Sequence, residues 1–161
     1  MMTRFFRDNS GAAAVEFVLC MPFLVTLSIG VSEMGRGLWC YHTLIQTTRD
    51  ATRFLSHLPP DTTDPANPTV PTAYKTIATN LVLHGTADGS GPLLIPSDYG
   101  SVTTSYAVVN VAGTWSSTQP AQAHYVTTTS NLTFTSPLIS WFGANTSLPI
   151  SVSHSERMQT D

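Results

Sequence analysis

GAAAVEFVLCMPFLVTLSIGV, residues 11–31, is the stretch on which the reading of the fold turns. From Ala12 to Val31 the chain carries a single charge, Glu16. Twenty residues at about 1.5 Å rise each make a helix of roughly 30 Å, the thickness of a bilayer's hydrocarbon core. The stretch therefore predicts a retained transmembrane helix over 12–31. A cleavable secretory signal peptide is the competing reading, and Ser28-Ile29-Gly30 offers small residues at a suitable spacing. Signal peptides have an apolar region of about 7–15 residues, however, and this one is longer and holds an acid.

Glu16 is the residue to explain. A carboxylate in hydrocarbon is costly, so such groups either reach the interface or find a cation. Arg4 and Arg7 supply cations before the span. A cut after Gly11 supplies another: the new α-amine of Ala12 would stand four residues before Glu16, within one helix or facing a packed neighbour. Pro22 has no N–H and its ring crowds the preceding turn, which frees the Val18 carbonyl and predicts a bend. Neighbouring helices in a membrane can satisfy the freed group.

The whole chain has 161 residues, 11% charged, with a formal charge of −3. That is far below the roughly 25% charge of ordinary soluble domains. The acidic balance argues against a nucleic-acid partner, which calls for a basic face. Charge is uneven: residues 1–60 hold five of the seven basic residues and four of the ten acids, and the remainder is net acidic. The span's flanking charges do not settle its orientation. A long, sparsely charged body translocates regardless, which places the N-terminus inside and residues beyond about 32 outside.

From Ser32 to Leu58 there is no proline. Met34, Leu38, Tyr41, Ile45, Thr48, Thr52 and Leu55 recur at steps of three and four and mark one helix face. The helix thus continues beyond the membrane over 32–58, with Pro59-Pro60 ending it. Trp39 and Tyr41 suit either an interfacial aromatic belt or a core. Residues 59–71, PPDTTDPANPTVP, hold five of the eleven prolines and read as a stiff, exposed connector. A small outer domain follows over 72–161. It opens with a helix from Thr72, a possible cap, to His84, stopped by Gly85. A loop to Gly100 precedes strands over 101–111, 124–135 and 150–154, rich in Val, Thr and Tyr. One apolar and one hydroxyl face suit an antiparallel sheet packed on the outer half of the long helix. The segment 137–142, PLISWF, reads as an apolar core plug. The fold class is α+β: a long N-terminal transmembrane helix, extended outside the membrane, on a small antiparallel sheet.

Gly11-Ala12-Ala13-Ala14-Val15-Glu16-Phe17 resembles the processing site of type IV pilin-like proteins, preceded here by a short basic leader, residues 1–11. With Pro22, the Glu33-Met34-Gly35-Arg36 exit and the 46–54 segment QTTRDATRF, the stretch resembles the TadE-like proteins of the tight-adherence pilus system, specifically over 11–55. The resemblance implies cleavage between Gly11 and Ala12 by a membrane-embedded prepilin peptidase. It implies roles for Glu16 and Phe17 in helix packing and charge neutralisation. The mature product would be a minor pilin or pseudopilin of the inner membrane. Its partners would be the lipid bilayer, the major pilin, other pilin-like subunits and the inner-membrane assembly platform.

No phosphate loop or nucleophile elbow is present, and the five histidines have no paired-ligand spacing. No catalytic residue, metal or cofactor is expected. Two sequons, at Asn131 and Asn145, are short patterns common by chance. Cys20 and Cys40 stand about 30 Å apart on one helix, too far to pair within one chain. Three readings follow: a non-enzymatic pilus-assembly component, an uncleaved membrane-anchored binding module, and a secreted enzyme for which no catalytic residues are in view.

Overall fold

The computed structural model describes residues 10–61, 63–64, 67–112, 122–136, 143 and 147–159. Helix α1 runs over Ser10–Ser56 and α2 over Thr72–His84. Strands β1 (Gly100–Ala112), β2 (Gln122–Thr135) and β3 (Ser147–Arg157) form one sheet in the order β1-β2-β3. Both pairings are antiparallel, with Val108 opposite Val126 and Leu132 opposite Ile150. The chain divides between Gly37 and Leu38 into two units. The α+β class expected from the sequence is the class observed.

The second unit contains the core. Leu44, Ala51 and Leu55 of α1, Ala78 and Val82 of α2, and Val126, Leu132 and Phe134 of β2 are all buried. Partly buried Tyr74, Leu81, Val102, Tyr106, Ile150 and Val152 pack against them. The helix ends at Ser56, just before Pro59-Pro60, as the missing donors of two prolines require. Gly85 ends α2 in the left-handed region, at φ 69°, with its N–H donating to the Leu81 carbonyl.

Four details differ from the sequence reading. The buried face of α1 is Cys40, Leu44, Thr47, Thr48, Ala51, Thr52 and Leu55, whereas Met34, Leu38 and Tyr41 are 69%, 49% and 40% exposed. The three-four periodicity holds for two neighbouring stripes, and packing against β2 selects one of them. Thr72 is not a cap: Pro71 precedes the helix, and its carbonyl accepts from the Tyr74 and Lys75 N–H groups. Residues 59–71, expected as a stiff, exposed connector, are not exposed throughout. Asp61 and Thr69 exchange both backbone hydrogen bonds, at 2.8 and 3.0 Å, and Val70 is buried. The Asp61 carboxylate accepts from the Thr63 N–H and hydroxyl and stiffens the turn.

The fourth difference lies in the sheet. Hydroxyls occur on both faces: Thr128 and Ser130 sit between Val126 and the Leu132–Phe134 pair on the buried side of β2. Thr48 of α1 donates to Ser130 at 2.8 Å, which gives one buried hydroxyl a partner across the core. The strands also run further than expected, because ladder hydrogen bonds carry them beyond their β-branched centres. Trp39 meets Tyr99 edge-on, with ring centroids 6.5 Å apart. The 137–142 plug lies outside the described residues.

Candidate functional site: the exposed apolar helix

The first half of α1 carries the candidate residues. Apart from Glu16, Thr26 and Ser28, the side chains from Gly11 to Ser28 are apolar around the whole circumference, and every residue in this range is exposed. Leu19 is 74% exposed and Phe23 is 71% exposed. A helix apolar on all sides is not stable against water and needs a lipid or protein surround. It is long and apolar enough to cross a membrane, and none of its apolar stretch is buried within the protein.

Two hydroxyls within this stretch turn back on the helix itself. Thr26 Oγ1 donates to the Pro22 carbonyl and Ser28 Oγ to the Leu24 carbonyl, both at 2.8 Å. Neither hydroxyl is then left to be solvated by the surround. The helix carries on through Pro22.

Of the expected site residues, Gly11, Ala12, Glu16, Phe17 and Pro22 all lie on α1. Helical geometry brings Ala12 and Glu16 together, four residues apart and thus neighbours on the same face. Phe17 is rotated about 100° from Glu16 by the 3.6-residue turn and presents its ring elsewhere, 59% exposed. A Cβ at Gly11 would meet nothing within 4 Å. Residues 1–9 of the expected leader, with Arg4 and Arg7, lie outside the described residues.

The sequence reading did not single out a pair at the far end of this stretch. Glu33 is buried, and Arg36 Nη1 stands 3.6 Å from its Oε1. The i,i+3 spacing of opposite charges was the available signal. Cys20 is exposed and Cys40 buried, and both are free thiols, in keeping with their separation along one helix. Among the described residues no group of three or more His, Cys, Asp or Glu side chains could hold a metal ion.

An exposed apolar helix opening on a small-residue run, with an acid one turn in, is the feature to compare with known proteins. Residues 11–53 match the model of the TadE-like protein family. The TadE-like segment falls wholly within α1, from the first residues of the apolar stretch to the last turn of the helix. No curated protein and no solved structure matches the chain. The TadE-like segment thus contains all five expected site residues and the Glu33–Arg36 pair, and α2 and the sheet lie beyond it.

Proposed function

We propose that this protein is a non-enzymatic minor pilin or pseudopilin that takes part in assembling a tight-adherence type pilus through its N-terminal helix. The observation that carries the reading is Glu16, one turn after Ala12, on an exposed apolar helix inside a TadE-like segment. A membrane-embedded prepilin peptidase removes residues 1–11 by cutting between Gly11 and Ala12. The amine so released at Ala12 neutralises Glu16 in the same helix or in a neighbouring subunit's helix, which lowers the cost of a carboxylate in hydrocarbon. The helix is anchored in the inner membrane with the C-terminal unit outside. Its apolar surface packs on the major pilin and other pilin-like subunits, guided by the assembly platform.

The N-terminus of the mature protein, determined by mass spectrometry from its native membrane, tests this directly. A chain beginning at Ala12 supports the reading, and one still beginning at Met1 or Met2 refutes processing. One observation favours a second reading, an uncleaved membrane-anchored binding module. The Gly11–Ala12 bond lies within α1, and helical backbone has to unwind before a peptidase can take it. Crosslinking from positions 12–31 separates the two: contacts to pilin helices support the first, and contacts to lipid alone support the second.

A further inference from the structure

The two free edges of the sheet are built differently. Among the described residues β1 and β3 are its outer strands. Strand β3 carries Pro149, Glu156 and Arg157, devices that discourage pairing with another strand. Strand β1, GSVTTSYAVVNVA, has neither a charge nor a proline over its 13 residues. In an antiparallel strand, alternate residues turn their N–H and C=O groups away from the neighbour, so an unpaired edge presents a row of donors and acceptors. Among the described residues, no backbone hydrogen bond joins 107–109 to anything but β2.

That edge borders a groove. Residues 106–110 of β1 form one wall of a groove of about 460 Å³. The other wall is the extended chain at 67–70, held in place by the Asp61–Thr69 bridge. Lys75 of α2 lines the same groove. It is the only lysine in the chain and is half-buried, and among the described residues it has no carboxylate within 4.0 Å. An incoming carboxylate would give this ammonium a counter-charge.

We infer that the β1 groove takes an extended peptide segment of a partner protein as a fourth strand, with an acidic residue of that segment facing Lys75. Backbone pairing to 106–110 supplies the affinity, and five residues of strand cover about 17 Å. The exposed Val109 side chain and the Lys75 ammonium select a segment that alternates apolar and polar residues and carries one acid. An extended segment, rather than a second folded sheet, is the occupant inferred, because residues 67–70 of this chain already line the groove beside 106–110. The inference rests on the second unit alone and holds whether or not the protein joins a pilus.

The test is backbone amide hydrogen exchange of the full chain in lipid nanodiscs. The probe is an acetylated, amidated heptapeptide of alternating threonine and valine with one central glutamate. At millimolar peptide, alternate amides within 106–110 should become protected while those of α2 stay unchanged. Lys75→Glu should weaken binding roughly threefold to tenfold, as expected when attraction becomes repulsion at a half-buried charge, and Lys75→Arg should preserve it. Circular dichroism of both variants, matching the parent, keeps the comparison valid. Unchanged exchange at 106–110 overturns the docking. Equal binding of the peptide with glutamine in place of glutamate overturns the role of Lys75. Inorganic phosphate or a sulfated polysaccharide perturbing Lys75 while the peptide protects nothing would assign an anion site and overturn the proposal.

Discussion

The Thr48 hydroxyl donates to the Ser130 hydroxyl at 2.8 Å, and both residues are wholly buried. This bond links α1 to the central strand across a core in which hydroxyls interrupt the aliphatic packing. Thr52 donates back to the Thr48 carbonyl at 2.7 Å, so a second α1 hydroxyl at the same interface is satisfied within the helix. Removing one partner of the Thr48–Ser130 bond leaves the other desolvated and unpaired. Ser130→Ala should therefore cost about 1–3 kcal/mol, and the double variant Thr48→Val with Ser130→Ala should recover much of that loss. Chemical denaturation of the detergent-solubilised protein measures both. Additive losses in the double variant would contradict the coupling.

The choice of buried stripe on α1 predicts a contrast between two leucines. Leu44 is fully buried and Leu38 is 49% exposed. Leu44→Ala should lower stability by about 2–5 kcal/mol through lost burial and a residual cavity. Leu38→Ala should change it by less than about 0.5 kcal/mol. Equal effects in the same denaturation assay would place the packed face on the other stripe.

Gly100 opens β1 at φ 136°, and a Cβ there would collide with the Thr133 carbonyl of β2. Gly100→Ala should cost at least about 1–3 kcal/mol, because both the backbone conformation and the strand pairing oppose the methyl group. Thermal unfolding monitored at the sheet would report it, and an unchanged melting temperature would refute the close approach.

The turn at Asp61 should respond to acid. The Thr63 side-chain and backbone hydrogen bonds hold the Asp61 carboxyl below its ordinary value of 3.8, against a small opposing effect of burial. A carboxylate whose pKa is depressed on folding stabilises the folded form above its unfolded pKa, and the contribution fades as pH falls through the lower folded value. The turn should thus be intact at neutral pH and loosen only below about pH 4. The Thr63 amide resonance followed through an acid titration checks this; loosening near neutrality would contradict it.

The function reading makes its own demand on Glu16. Glu16→Ala should leave the protein in the membrane, since removing a charge from an apolar span favours insertion. It should nonetheless block incorporation with the other pilin-like subunits, measured by co-purification from native membranes. Normal assembly by this variant would remove the role given to the carboxylate.

The long helix, its end before Pro59-Pro60, the helix from Thr72 to His84 and the β-branched cores of the strands were legible in the sequence. Each depends on residues within a few positions of one another, through proline's missing donor, glycine's left-handed stop and side-chain crowding. That Gly11, Ala12, Glu16, Phe17 and Pro22 share one helix, with Ala12 and Glu16 one turn apart, was legible for the same reason, since one helical turn is a local measure. Only the tertiary structure decided which stripe of α1 is buried, that Thr48 meets Ser130 across the core, and that Asp61 pairs with Thr69 to fold the proline-rich segment back on itself. It alone left β1 as the unguarded edge beside Lys75. These features are contacts between elements, and their energy appears only when residues distant in the chain close on one another.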